Sequence, residues 1–326
     1  MIRAKISGTG SAVPDKVLTN FDLERMVDTS DEWIVTRTGI RERRIASEGE
    51  YTSTFATAAA LRALEAAGVA AEEIDLIVVG TLTPDFPFPA TACLVQQNIK
   101  APNAACFDLS AACSGFIYAL STAQRFILTG GAKKALVIGA EVLSRVVDWT
   151  DRNTCLLFGD GAGAVVLEAV EGERGVLSTH IHSDGNYWEL LHQKGCGSRN
   201  PVSQKAVDER ISYISMQGNE VFKLAVRAMG EVALEALSAN GLTTEDISLF
   251  IPHQANQRII DSVGKRLSLG ADKVYVNLDR YGNTSAASIP IALDEVVRAG
   301  RVKEGDIVLL SAFGGGLTWG SAALRW

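Results

Sequence analysis

Hydrophobic positions along this chain fall into two recurring patterns. Short unbroken apolar runs such as Leu76-Ile-Val-Val-Gly80, Ala135-Leu-Val-Ile-Gly139 and Ile307-Val-Leu-Leu-Ser311 lack polar alternation, so they predict strands buried on both faces. Longer Ala/Leu-rich segments that end at a glycine predict helices with that glycine at the C-terminal cap. Strands are expected at Ile2–Gly8, Leu76–Gly80, Ala104–Asp108, Ala135–Gly139 and Ala164–Leu167, then at Leu249–Pro252, Lys273–Asn277 and Ile307–Ser311. Strands and helices alternate throughout, which gives an α/β class. The segment from His182 to Gln204 is rich in Gly, Asn, Ser and His without periodicity and reads as a loop or cap.

The pattern repeats. Shifted by 173 residues, Ala60-Leu-Arg-Ala-Leu-Glu-Ala-Ala-Gly68-Val-Ala-Ala-Glu72-Glu-Ile74-Asp-Leu76 falls on Ala233-Leu-Glu-Ala-Leu-Ser-Ala-Asn-Gly241-Leu-Thr-Thr-Glu245-Asp-Ile247-Ser-Leu249, with nine of seventeen positions identical. Ala135–Gly139 also resembles Ile307–Ser311 after a one-residue slip. Two α/β halves packed face to face follow, residues 1–172 and 173–326.

A length of 326 residues with 47% hydrophobic and 21% charged residues excludes disordered and low-complexity classes and leaves room for a buried site. The longest uncharged stretch, Ile307–Leu324, is broken by Gly314, Gly315 and Gly316, so no membrane span is expected. The first residues resemble a strand and not a signal peptide, which gives a cytoplasmic expectation. Five cysteines without a C-x-x-C pair point to neither a disulfide framework nor a metal site. A net charge of −7 argues against a nucleic-acid binder. Gly8-Thr-Gly10 and Gly159-Asp-Gly161-Ala-Gly163 are not dinucleotide fingerprints and there is no phosphate-loop motif, so these glycines read as close-packing positions and no cofactor is implied.

Candidate chemistry lies just after the strands, where open α/β sheets place ligands. Cys113 follows Ala104–Asp108 and precedes an apolar helix from Phe116, and a helix N-terminus favours thiolate and offers N–H groups to an oxyanion. A packed core cysteine is the alternative. His253 follows the second-copy strand, opposite Gly80 in the repeat, with Pro252 fixing its turn; a locally satisfied histidine is the alternative. Asn283 lies in a turn that the repeat makes the counterpart of the Cys113 turn, Ser288 falling on Gly115, although a Gly-Asn turn alone is a common cap. Phe313-Gly-Gly-Gly316 follows Ile307–Ser311 and could bring backbone N–H groups close to a ligand.

Ala112-Cys113-Ser-Gly-Phe116, Pro252-His253-Gln-Ala-Asn256, Gly282-Asn283-Thr-Ser-Ala-Ala-Ser288 and Phe313–Gly316 resemble the β-ketoacyl-acyl carrier protein synthase III family. So do Thr29-Ser-Asp-Glu-Trp33-Ile-Val-Thr-Arg37-Thr-Gly-Ile-Arg41 and Phe158-Gly-Asp-Gly-Ala-Gly163, which spreads the likeness over essentially the whole chain. The resemblance implies a thiolase fold, two pseudo-duplicated α/β halves in a five-layer αβαβα stack. It implies an acyltransferase that starts type II fatty acid synthesis by joining an acyl-CoA primer, best acetyl-CoA, to malonyl-acyl carrier protein without a metal or cofactor.

Carried over by position, the resemblance makes Cys113 the nucleophile, with the N–H groups of Cys113 and Gly315 as the oxyanion hole, and His253 and Asn283 the donors to the enolate. Trp33 and Arg152 would sandwich the CoA adenine, with Arg37 near its phosphates. Lys223, Gln254, Arg258, Lys265 and Arg266 would face an acidic carrier protein, against the alternative of an ordinary solvated charged face. Phe88 would close the acyl pocket across a homodimer interface, and Leu143, Phe158 and Phe222 would line it, Phe222 with Phe313 also giving the apolar surroundings that favour loss of CO2.

Four rivals fit parts of this pattern. The chain order Cys, His, Asn suits a papain-like hydrolase, but Cys113 lies mid-chain between two copies of an α/β unit. A starter-unit synthase of secondary metabolism would have nearly the same site. A non-catalytic acyl-CoA-binding protein would not need all three residues. A thiolase proper is expected to have a second cysteine near the C-terminal glycine turn, and none follows Cys196.

Overall fold

A computed structural model describes all 326 residues. The chain first forms β1 (Ile2–Ala12), β2 (Val17–Thr19), α1 (Asn20–Leu23), α2 (Asp31–Thr38), β3 (Glu42–Arg44), α3 (Thr52–Ala67), β4 (Leu76–Gly80), α4 (Thr91–Ile99), β5 (Ala105–Leu109), α5 (Gly115–Leu128), β6 (Lys134–Glu141) and β7 (Gly161–Glu171). It continues with β8 (Gly175–Ser183), β9 (Leu191–Gln193), α6 (Gln204–Asp208), β10 (Ile214–Met216), α7 (Gly218–Ala239) and β11 (Ile247–Pro252). Last come α8 (Gln257–Arg266), α9 (Leu278–Tyr281), α10 (Ser288–Arg298), β12 (Ile307–Gly314) and β13 (Thr318–Arg325). No helix is long and apolar enough to cross a membrane.

Two large sheets result, ordered β1-β7-β6-β4-β5 and β11-β12-β13-β8, beside the two-stranded pairs β2-β3 and β9-β10. In the first, β4 is parallel to β5 and β6 while β7 is antiparallel to β6 and β1; in the second, β11 and β12 are parallel and β12, β13 and β8 antiparallel. The apolar runs divide their side chains between two cores, as period-two geometry requires. Leu76 and Val78 of β4 join Phe116, Leu120, Ile289 and Leu293 of α5 and α10 in a central core shared with Val308 and Leu310 of β12. Ile77 and Val79 face outward onto Ala59 and Ala63 of α3. Leu309 of β12 faces outward onto Met229 and Ala233 of α7. The layers are therefore α3/α4, sheet, α5/α10, sheet, α7/α8.

The repeat is visible residue by residue. Gly68 and Gly241 end the duplicated helices at φ +65° and +64°, a conformation that costs glycine little. The glycine clusters pack backbone to backbone: a Cβ on Gly8 would stand 2.3 Å from the Ala63 carbonyl oxygen, and one on Gly163 2.6 Å from the Ile291 nitrogen.

Three expectations need correction. Lys273–Asn277 is not a strand. It touches β11 by one bridge, Phe250 to Val274, and the Tyr275 N–H donates to the Phe250 carbonyl at 2.9 Å. The Gln254 side chain takes two further groups: its Nε2 donates to the Tyr275 carbonyl and its Oε1 accepts the Asn277 N–H. The His182–Gln204 segment is partly ordered secondary structure, because β9 pairs antiparallel with β10. β1 and β7 run longer than expected, and β8 and β13 were not expected at all; their glycines and hydroxyl residues interrupt the apolar runs that mark the other strands.

Candidate active site

Cys113 stands in the 3-10 turn Ala112–Ser114 between β5 and α5. The equivalent turn of the other half is Ser285–Ala287, ahead of α10, and the two turns share an unusual backbone: Ala112 has φ +46° and Ser285 φ +50°. The C-terminal glycines close over the first turn. A Cβ on Gly314 would lie 2.6 Å from the Cys113 nitrogen and 3.0 Å from that of Ser114, so only glycine fits there. Cys113 is 7% exposed. Burial pushes its thiol up to about 12; the Ser285 side chain acts against that rise and the charge of Glu141 adds to it. The resting group is therefore a thiol, and not the thiolate that helix-end placement alone suggests.

Cys113, His253 and Asn283 line one cleft of about 750 Å³. His253 follows β11 and is 2% exposed, its N–H bonded to the Ser311 carbonyl at 2.8 Å. Burial lowers the imidazole to about 3, so the ring is neutral. Its Nδ1 lies 2.7 Å from Ser288 Oγ, an oxygen that also accepts the Gln254 N–H at 3.3 Å. Nδ1 is the one acceptor within reach of the Ser288 hydroxyl proton, so that proton goes to Nδ1, which leaves the ring proton on Nε2. Asn283 Oδ1 accepts the Ser285 N–H at 2.8 Å, which leaves the Nδ2 donors unclaimed by that bond.

Cys113 also borders a second, smaller cavity of about 240 Å³. Leu82, Leu143, Phe158, Leu191 and Ile214 form its apolar wall, with Gly315 and Ser285 beside the thiol. Leu191 and Ile214 belong to the β9–β10 pair, so the segment expected to be a cap does cover the pocket.

Profiles of 3-oxoacyl-(acyl carrier protein) synthase III match the chain twice, at residues 107–185 and, for the C-terminal part, at 237–326. The β-ketoacyl-acyl carrier protein synthase III of Caldanaerobacter subterraneus subsp. tengcongensis is 56% identical over 325 residues, covering 100% of this chain and 98% of that protein. The chain belongs to the β-ketoacyl-acyl carrier protein synthase III family. The crystal structure of the Aquifex aeolicus 3-oxoacyl-(acyl carrier protein) synthase III superposes with a TM-score of 0.93 at 55% identity, covering 99% of this chain and 100% of that one. A priming β-ketosynthase from a polyketide biosynthetic pathway superposes at 0.92 with 39% identity, covering 98% and 95%. This synthase III relative is an acyltransferase with the thiolase fold.

The remaining expected residues separate into those at the synthase III cleft and those away from it. Trp33 and Arg37 line the cleft mouth, and the Arg37 and Arg152 guanidiniums lie 5.7 and 4.5 Å from the Trp33 ring centroid. Arg258 and Lys223 also line the mouth; Arg258 sits 5.4 Å over the Phe222 ring and Lys223 pairs with Glu220. Lys265 and Arg266 lie at the far end of α8, where Arg266 meets Glu231. Two expectations fail on geometry. Gln254 is 1% exposed and spends its amide on Pro252, Tyr275 and Asn277, so it cannot present itself to a partner. Phe222 borders the cleft and not the small pocket, because α7 lies on the cleft side of Cys113. Phe88 is 86% exposed and lies outside the pocket of its own chain.

Ser285, Ser288 and Glu141 escaped sequence reasoning as functional positions, and Gly314 entered it only as part of the Phe313–Gly316 stretch. For Glu141 a signal existed: it is a carboxylate at the carboxyl end of an otherwise apolar central strand.

Proposed function

We propose that this chain condenses a short acyl-CoA primer, acetyl-CoA foremost, with malonyl-acyl carrier protein to give a β-ketoacyl-acyl carrier protein. The observation that carries the reading is the position of Cys113 at the junction of an apolar pocket and a larger polar-mouthed cleft. The pocket suits a short acyl chain and the cleft suits the extended carrier of a thioester.

In the first half-reaction the Cys113 sulfur attacks the primer carbonyl and CoA leaves as the thiol. The backbone N–H groups of Cys113 and Gly315 serve the tetrahedral oxyanion, and the cysteinyl thioester keeps the acyl group reactive. In the second, loss of CO2 from the malonyl group leaves a carbanion whose thioester oxygen carries the charge. Neutral Nε2–H of His253 and Nδ2–H of Asn283 receive that oxygen, and a donor that does not lose its own proton stabilises an enolate without quenching it. The carbanion then attacks the acyl-Cys113 carbonyl; as the tetrahedral intermediate collapses, the carbon–sulfur bond to Cys113 breaks and the released thiolate takes up one proton from solvent. The apolar faces of Phe222 and Phe313 beside the cleft disfavour a bound carboxylate and so favour its departure as CO2.

An adenine stacks on Trp33 by taking the place that the Arg152 guanidinium holds 4.5 Å over the ring, with Arg37 placed for phosphate. Lys223 and Arg258 at the mouth, with Lys265 and Arg266 farther along α8, suit an acidic carrier protein. A second copy of the chain is favoured by β5, an edge strand with a free hydrogen-bonding side, and by the exposed Phe86 and Phe88 nearby.

A starter synthase that uses another second substrate is the competing reading, favoured by the likeness to the priming β-ketosynthase. Incubating the protein and malonyl-acyl carrier protein with acetyl-, isobutyryl- and octanoyl-CoA separates the two. Acetoacetyl-acyl carrier protein as the main product supports the proposal; turnover only with longer primers or another nucleophile refutes it.

A further inference from the structure

Glu141 ends β6 fully buried, and no cation pairs with it. Every group bonded to it is a neutral donor: the Thr83 hydroxyl at 2.6 Å, the Thr81 hydroxyl at 3.2 Å, the N–H groups of Leu82 and Thr83 at 3.1 and 3.2 Å, and the Ser285 hydroxyl at 3.0 Å. The proton directions are fixed by the carboxylate, which can only accept: the Thr81 and Thr83 hydroxyls donate to it, while Thr83 Oγ1 accepts the Val142 N–H and Thr81 Oγ1 the Thr83 N–H. A buried anion held this way is costly unless it has a task. As a neighbour of a nucleophile it is at first sight misplaced, since its charge opposes thiolate formation.

We propose that Glu141 is a positioning residue and proton store for the acylation step, acting on Cys113 through the Ser285 hydroxyl. This inference rests on the condensing-enzyme reading above. Ser285 neighbours both groups: its hydroxyl donates to Glu141 Oε1, and it shares the wall of the acyl pocket with Cys113. As Cys113 Sγ forms its bond to the primer carbonyl carbon, the thiol proton passes to Ser285 Oγ while the Ser285 proton passes to Glu141. When the tetrahedral intermediate collapses and the carbon–sulfur bond to CoA breaks, the same proton returns through Ser285 to the leaving sulfur. The sum is acyl-CoA plus cysteine thiol giving acyl-cysteine plus CoA thiol, with Glu141 and Ser285 regenerated. His253 is the poorer acceptor: burial keeps it at about 3, whereas burial raises Glu141 to about 7. The charged and titratable surroundings of Glu141 are simple, because its partners from the segment after β4 and from the Ser285 turn are all neutral and the titratable group on the α5 side is Cys113 itself.

The test measures the two half-reactions separately in the full-length protein, across neutral pH. Acylation is followed as the growth of the acetyl adduct from acetyl-CoA, and condensation as its discharge by malonyl-acyl carrier protein from pre-acylated enzyme. The native acylation rate should rise as Glu141 ionises. Glu141→Gln keeps an oxygen for the Thr81 and Thr83 donors, and it should lose that rise and slow acylation about 100-fold. Condensation, which takes no proton from Cys113, should change less than about 3-fold. Glu141→Asp should restore the pH profile in part. Ser285→Ala, which keeps Glu141, should reproduce the acylation loss, and the double variant should be no more than about 3-fold slower than the slower single one, because both act on one proton path. The proposal is overturned if Glu141→Gln or Ser285→Ala acylates at the native rate with the native profile. Equal losses in both half-reactions with no rescue by Asp would also overturn it, as they mark a structural role. A native protein that forms no acyl adduct overturns the condensing reading itself, whereas a native adduct with normal variants overturns the relay alone.

Discussion

Ser288 Oγ and His253 Nδ1 are 2.7 Å apart at the positions that Gly115 and Gly80 hold in the other half of the repeat. In the N-terminal half the two glycines bring backbones into contact, since a Cβ on Gly80 would lie 2.7 Å from the Gly115 carbonyl carbon. The C-terminal half fills the same joint with a hydroxyl and an imidazole. One framework, used twice, therefore presents a thiol from one copy and an imidazole from the other.

Ser288→Ala removes the proton that fixes the imidazole tautomer. Condensation should fall about 10-fold or more while acylation stays within about 2-fold, because only the second half-reaction uses the Nε2 proton. Separate measurement of adduct formation and adduct discharge reads this directly, and equal losses in both would sink the tautomer argument.

Gly314→Ala forces a Cβ to 2.6 Å from the Cys113 nitrogen. The turn must shift, at a cost of about 1–3 kcal/mol, and the N–H of Cys113 leaves its aim at the oxyanion. Acylation should drop about 100-fold with a lowered melting temperature. Gly185→Ala, where nothing lies within 4 Å of the added Cβ, should leave both unchanged.

Two buried groups give opposite pH dependences of stability. His253 is held at about 3 against its ordinary 6.5, so the unfolded chain takes up a proton that the folded one refuses. Its contribution is complete above 6.5 and is lost as pH falls toward 3. Glu141 is raised from 4.5 to about 7, so its contribution is present below 4.5 and lost as pH rises through 7. That loss amounts to roughly 3 kcal/mol by linkage. Urea midpoints of Glu141→Gln should therefore fall less between pH 5 and pH 8 than those of the native chain, and those of His253→Gln should fall less on acidification. A native and Glu141→Gln pair with parallel pH curves would refute the assignment.

Trp33→Ala removes the ring that both Arg37 and Arg152 face. The KM for acyl-CoA should rise about 10-fold with kcat within about 2-fold, since this contact lies far from the reacting carbon. A fall in kcat with unchanged KM would place the ring elsewhere in the reaction.

Much of this was legible from one-dimensional pattern. The offset of 173 residues that aligns Gly68 with Gly241 also aligns the Cys113 turn with the Ser285 turn, and unbroken apolar runs such as Leu76–Gly80 became the central strands. What escaped depends on contacts far apart in sequence. Nothing local shows that Ser285 reaches Glu141 across 144 positions, or that Gly314 packs on Cys113. Lys273–Asn277 reads as a strand by propensity, but the Gln254 amide takes the backbone groups a ladder would use, and the same bonds bury a residue expected at the surface. Helix-end placement suggested a thiolate at Cys113, and burial, invisible in the sequence, decides for the thiol.

Acyl transfer through Cys113 is tested by the intact mass of the native chain and of Cys113→Ala after incubation with acetyl-CoA, followed by malonyl-acyl carrier protein. One acetyl adduct is expected on the native chain and none on Cys113→Ala, with discharge of the adduct as acetoacetyl-acyl carrier protein. An adduct that survives Cys113→Ala, or one that malonyl-acyl carrier protein leaves in place, would contradict transfer through Cys113.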